Sequence, residues 1–275
     1  MNTTDAGTIR NMKGLGNVWW FFLIAIAFTW LFQIPLVLDS RGILHSPPSL
    51  SRVALYISQL GPFVAAFLLT YLSDGRGGVT RLLKRGWSTG FGRIWWIPTL
   101  LLLPVMEGLA ISLAALLGGE ALPELVILAR PESYARSFLF LLYLAALEEY
   151  GWRGYALERL QQRWNALSSS LILAAFWGPW HLTQWFMGGA YRSDVPFFGF
   201  WYGIVMQAIL LTWLYNNTRT SLLPVILFHA LGNAQVFPTW GNATSAWMFI
   251  SIWTLVTVAV IVVWGPRKLS RRKIE

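Results

Sequence analysis

Apolar residues in this chain run on for lengths that neither strand alternation nor a single helix stripe produces. Eight such runs stand out: Val18 to Leu38, Val53 to Leu72, Ile94 to Leu117, Phe138 to Tyr155, Leu171 to Met187, Phe197 to Tyr215, Leu222 to Phe237 and Ala246 to Trp264. Each approaches the roughly 20 residues that carry a helix across a bilayer, and polar residues collect in the joints between them. Hydrocarbon offers no partner for a backbone amide or carbonyl, so helices, which satisfy these groups internally, are the form such runs take. The fourth and seventh runs are the least apolar because both carry polar groups. The pattern predicts an all-α, polytopic membrane protein of about eight transmembrane helices, with residues 1–275 forming a single membrane domain.

Composition agrees: 56% of residues are apolar, 16% aromatic and only 12% charged, well outside the soluble average. Cysteine is absent, which excludes disulfides, a thiolate nucleophile and any Cys-ligated metal. A formal charge of +9 raises the question of nucleic acid. The basic residues lie in short loops between apolar runs, however, so the lipid bilayer surface is their partner and nucleic acid is not. Of the 21 Lys and Arg residues, 16 fall on the side of the two termini, and only Arg41, Arg52, Arg130, Arg136 and Arg192 fall on the other. Both termini should therefore be cytoplasmic. The compact length points to a bacterial inner membrane. Trp19, Trp20, Trp95, Trp96 and Trp264 sit near run ends, where an indole buries its ring and keeps its N–H wet. The stretch Arg81-Leu82-Leu83-Lys84-Arg85 reads equally as an amphipathic helix on the inner leaflet or as a plain loop.

Chemistry is carried by the polar residues inside the runs, since an ionisable group there is costly unless it meets a cavity or a partner. In Glu148-Glu149-Tyr150-Gly151-Trp152-Arg153, Glu149 and Arg153 are four apart and pair along one helix face, while Glu148 points about 100° away. In Trp177-Gly178-Pro179-Trp180-His181 the proline loosens the helix beside the imidazole, and aromatic rings fix its position; His181 is expected to have no partner in its own helix. In His229-Ala230-Leu231-Gly232-Asn233 an imidazole and an amide share a face, with small residues between that permit close helix approach. At about 1.5 Å per residue, Glu148, His181 and His229 all lie roughly 14 to 20 Å from the polar residues that begin their runs, so all three reach mid-membrane. A fourth group, Glu107, completes no motif: it pairs with a neighbour, lines a wet cavity or joins the site.

The E-E-x-x-x-R, aromatic-x-x-x-H and H-x-x-x-N elements, in this order, resemble those of the CPBP membrane proteases, which include the type II CAAX prenyl endopeptidases and bacterial relatives linked to bacteriocin self-immunity. The recognisable part runs from Glu148 to Asn233, within a protease-like core at about 136–237. The resemblance implies an intramembrane glutamic endopeptidase with its polar site in the bundle core, acting on a membrane-associated protein or peptide without cofactor or metal. On that carry-over Glu148 is the catalytic base, His181 shares water activation, His229 and Asn233 form the oxyanion hole, and Glu149, Arg153 and Trp177 support the site. The family usually has Phe where this chain has Trp177, and often Pro where Thr183 stands. General chemistry fits these roles: a carboxylate in a low-dielectric cavity can take a proton from water and return it to the leaving amine. Well-placed donors to the developing oxyanion contribute roughly 3 to 4 kcal/mol each.

Two other readings stay open on the residues alone. His181, His229 and a glutamate are chemically suited to bind zinc, although H-E-x-x-H is missing and Asn233 would then be idle. Alternatively, the buried polar groups bind an ion or grip a partner, as in a transporter or a non-catalytic immunity protein.

Overall fold

The computed structural model describes residues 3–118, 125–187, 196–237 and 243–271. Among them the α-helices are, in order, α1 (Thr3–Ser40), α2 (Pro48–Ser58), α3 (Gly61–Arg85), α4 (Trp96–Gly118), α5 (Val126–Ala129), α6 (Pro131–Gly151), α7 (Glu158–Leu160), α8 (Ala166–Trp180), α9 (Phe197–Asn217), α10 (Leu223–Ala234) and α11 (Ala243–Trp264). A π turn, Trp152–Leu157, joins α6 to α7, and 3₁₀ segments cover Arg93–Trp95 and Leu182–Phe186. The all-helical class expected from the apolar runs is the class observed.

The number of spans is less simple than eight. Among the described residues, four helical stretches are long and apolar enough to cross a membrane: Val18–Ser40, Arg93–Gly118, Phe197–Asn217 and Thr244–Trp264. The predicted second span, Val53 to Leu72, is broken: α2 and α3 meet at a 48° bend and together make a possible fifth crossing. Pro62 is the cause, because it has no N–H to offer the Ser58 carbonyl one turn back. That carbonyl instead accepts the Thr29 hydroxyl of α1 at 2.7 Å. The predicted fifth span, Leu171 to Met187, stays α-helical only to Trp180 and then tightens to 3₁₀. With 15 residues in α8 and 12 in α10, these helices fall short of a full crossing, and α6 carries Glu148 and Glu149 in its last turn. The motifs that attract attention thus sit on helices that depart from the plain transmembrane type. Phe237, where the seventh run was expected to end, lies beyond the helix, which stops at Ala234.

The chain divides into two compact units, one of residues 1–84 and 147–208, the other of 85–146 and 209–275. In the first, α1 contacts α2, α8, the π turn and the 3₁₀ segment 182–186. Its core is aromatic: Phe21 and Phe22 meet Trp152, Tyr155 and Phe176, and Trp152 in turn meets Trp177 and Trp180. Gly151 allows the end of α6 to lie on Pro62, where any Cβ would sit 2.6 Å from the proline ring. In the second unit α4 contacts α10 and α11, and Trp213 is clasped edge-on by Trp95 and Trp264. The turn between α9 and α10 places Arg219 and Thr220 at positive φ, and Arg85 ties it down by hydrogen bonds to the Tyr215 hydroxyl and the Thr220 carbonyl. Residues 81–85, read from sequence as helix or loop, are the last turns of α3 beyond a kink at Gly75 (φ 62°).

Candidate active site

Glu148 and Glu149 lie in the last turn of α6, just before the chain widens into the π turn. A π turn inserts one residue into the helical repeat and is frequent at functional sites, because it rotates the following side chains out of register. Glu149 Oε1 accepts Arg153 Nη1 at 2.7 Å, with both side chains fully buried. The four-residue spacing had predicted this pair. Arg153 also lies with its guanidinium carbon 4.3 Å from the centroid of the Trp177 ring, while its Nε and Nη2 make no hydrogen bond among the described residues. The indole face therefore supplies the electrostatic partner for that side of the cation.

Glu148 is set on a different partner. Its Oε2 accepts the Trp177 indole N–H at 2.8 Å, and the residue is 7% exposed, so one carboxylate oxygen is fixed in a nearly closed setting. A phenylalanine in place of Trp177 would have no N–H to give.

His181 caps α8, and the local backbone explains its orientation. Its own N–H bonds the Gly178 carbonyl three residues back rather than Trp177 four back. The Trp177 carbonyl is then left for the His181 ring, whose Nδ1 lies 2.9 Å away. A carbonyl only accepts, so Nδ1 carries the hydrogen and, in the neutral ring, Nε2 holds the lone pair. The expectation that His181 has no partner in its own helix is therefore corrected: the 3₁₀ tightening after Pro179 gives it a backbone partner. The imidazole also meets Trp180 and Phe200 edge-on.

Trp177 stands at the middle of this arrangement. Its side chain holds Glu148 and underlies Arg153, while its main chain holds His181. Behind it runs a buried polar relay that sequence inspection did not find. Trp180 Nε1 donates to Thr29 Oγ1 at 2.7 Å, Gln33 Nε2 donates to Ser58 Oγ at 3.0 Å, and the Thr183 hydroxyl donates to Gln33 Oε1. The only signal for it was polar residues at Thr29 and Gln33 inside an otherwise apolar run, together with Pro62.

The remaining predicted residues lie in the other compact unit. His229 is buried within α10. Asn233 occupies the last turn of that helix, is exposed, and its carboxamide makes no hydrogen bond among the described residues. Glu107 of α4 also belongs here: its Oε2 accepts the backbone N–H groups of Val236 at 3.0 Å and Phe237 at 3.4 Å.

An all-helical membrane protein with a buried carboxylate and an oriented imidazole on adjoining helix ends has the makings of a hydrolase. Comparison with known proteins gives the class more closely. Residues 130–235 match the family described as type II CAAX prenyl endopeptidase, Rce1-like. The CAAX prenyl protease 2 of Methanococcus maripaludis is 30% identical over 185 residues, covering 63% of this chain and 68% of that protein. The chain belongs to this CAAX protease family and is a membrane-embedded endopeptidase, for which a membrane-associated peptide is the implied substrate.

Proposed function

We propose that peptide hydrolysis in this protein is of the glutamic type, with Glu148 as general base and His181 sharing the activation of water. The observation that carries the reading is that one residue, Trp177, holds both groups, the carboxylate through its indole and the imidazole through its carbonyl. Such double anchoring fixes two reacting side chains without a reorganisation cost at the moment of reaction. Glu148 takes a proton from water as the oxygen attacks the scissile carbonyl, then delivers it to the departing amine. His181, with Nδ1 occupied, turns Nε2 toward that water as an acceptor. Arg153 and Glu149 brace Trp177 and leave Glu148 as the carboxylate for chemistry. His229 and Asn233 supply the donors for the oxyanion, a role supported by the H-x-x-x-N spacing and by an Asn233 carboxamide that no described residue engages. The chemistry needs no metal.

The substrate class we assign is the carboxy-terminal CAAX-type peptide of a membrane-associated protein, from the name of the archaeal relative. The basic residues on the side of the termini support a cytoplasmic location for both. The test is cleavage of fluorogenic CAAX-type peptides, prenylated and plain, by the detergent-purified protein. Glu148→Gln is expected to lower kcat by about 10²- to 10⁴-fold while leaving the fold intact. Wild-type cleavage is expected to resist EDTA and 1,10-phenanthroline. Loss of activity to chelators with restoration by zinc would replace this reading by the zinc one.

A further inference from the structure

Glu107 is a carboxylate with 1% exposure inside a membrane-spanning helix, and the chemistry above makes no use of it. Such a group is retained in a span when it has a partner that rewards it. Its partners are two backbone amides, and the reason they need it lies in how α10 ends. The last helical bond runs from Gln235 N–H to the Leu231 carbonyl at 3.2 Å. Gln235 then takes φ 43° and ψ 109°, a left-handed excursion that a residue with a side chain rarely makes. The excursion swings the Val236 and Phe237 N–H groups away from the carbonyls they would have met in a continuing helix. Glu107 Oε2 receives both.

Two neighbouring contacts seat the same segment. Gly232 lies against Leu103, one turn before Glu107 on α4, at a spacing that would put a Cβ 3.0 Å from the Leu103 methyl. Phe237 lies over Gly108, next to Glu107, where a Cβ would sit 3.1 Å from its ring. α4 thus grips α10 just before its end by shape, and just after its end by the carboxylate. Asn233 lies between these two points. His229 is held by burial one turn deeper, whereas Asn233 is exposed in the final turn, so its position follows that of the helix end.

We infer that Glu107 is a positioning residue, a carboxylate latch that holds the C-terminal end of α10 and thereby aims the Asn233 carboxamide at the oxyanion. The inference rests on the reading of Asn233 as an oxyanion donor. Glutamine at 107 keeps an acceptor oxygen at the same reach, leucine keeps volume without an acceptor, and aspartate keeps the charge but is one methylene short.

The experiment is steady-state kinetics with amide hydrogen exchange on the full-length protein in detergent, for Glu107→Gln, Glu107→Leu, Glu107→Asp, Asn233→Ala and Glu107→Leu/Asn233→Ala. The latch predicts that Glu107→Leu and Glu107→Asp lower kcat about 10- to 100-fold with KM little changed, as misplacement of a transition-state donor does. It predicts near-wild-type kcat for Glu107→Gln, and no further loss when Glu107→Leu is added to Asn233→Ala. Exchange across residues 230–237 should quicken in the Leu and Asp variants and not in the Gln variant. Multiplicative losses in the double variant, or wild-type kcat in a folded Asp variant, would overturn the latch while leaving the oxyanion role standing. Wild-type kcat in Asn233→Ala would overturn the oxyanion role itself, and the latch's catalytic purpose with it.

Discussion

The ends of α8 and α10 solve opposite problems. At the end of α8 the last turn leaves carbonyls to be met, and donors come to them: His181 Nδ1 to Trp177 at 2.9 Å and Trp30 Nε1 to Trp180 at 3.3 Å, with Trp201 Nε1 reaching Ala174 one turn earlier at 2.9 Å. At the end of α10 two amides are left, and a single carboxylate comes to both. Donors for the first are aromatic or imidazole N–H groups, which are cheap to place in an apolar setting because the rest of the ring is itself apolar. An acceptor strong enough to serve two amides is most simply a carboxylate, which is not cheap there. The end of α8 is therefore held by several replaceable hydrogen bonds, whereas the two amides at the end of α10 depend on a single carboxylate. A consequence is that single substitutions around α8 should weaken it in graded steps unless they reach Trp177, through which the others converge.

The largest break in that pattern is expected at Arg153. Arg153→Met leaves Glu149 buried without its cation and removes the charge beneath Trp177, a type of loss that costs about 3 to 5 kcal/mol of stability. Thermal unfolding in detergent should show it as a large fall in Tm. Glu149→Gln/Arg153→Met removes both charges together and should recover most of that fall, because a buried pair contributes far less net stability than either partner's loss suggests. A double variant no more stable than Arg153→Met would mean that the cation is held chiefly by Trp177.

Trp177→Phe is next in size and bears on chemistry more than on stability. It keeps an aromatic face for Arg153 and the main-chain carbonyl for His181, and it deletes the donor to Glu148 alone. Hydrogen bonds to charged groups contribute about 1.5 to 3 kcal/mol, so kcat should fall roughly 10- to 100-fold, with a smaller change in Tm than for Arg153→Met. An unchanged kcat would show that Glu148 is oriented without the indole.

Much of this was legible in the sequence, and the parts that were not share a cause. Apolar run length located the helices, and the four-residue spacing located the Glu149–Arg153 pair, because both follow from the geometry of one regular helix. The places that departed are those where a helix is interrupted. The break at Pro62, the π turn after Gly151, the 3₁₀ tightening at His181 and the positive φ of Gln235 each redirect a backbone group toward a side chain distant in sequence. Pro62 and Pro179 are visible as proline, but Thr29 and Glu107 answer breaks in other helices, and no local pattern names the partner. Glu107 was accordingly the residue that the motifs could not absorb.

The smallest expected effect tests whether such answers are paired as the geometry indicates. Thr29 Oγ1 donates to the Ser58 carbonyl and accepts from Trp180 Nε1, so it joins the break in α2–α3 to the last residue of α8. Thr29→Val keeps the shape and removes both bonds. Hydrogen bonds between membrane helices average about 0.6 kcal/mol, so the loss should be about 1 kcal/mol, seen as a small drop in Tm with kcat nearly intact. Pro62→Ala restores an N–H one turn after Ser58, giving that carbonyl a donor of its own. If Thr29 is there because Pro62 is, the Thr29→Val penalty measured in a Pro62→Ala background should shrink, leaving mainly the share due to Trp180. An equal penalty in both backgrounds would mean that Thr29 serves Trp180 and the end of α8 alone, and that the bend between α2 and α3 is held by the Gln33–Ser58 bond instead.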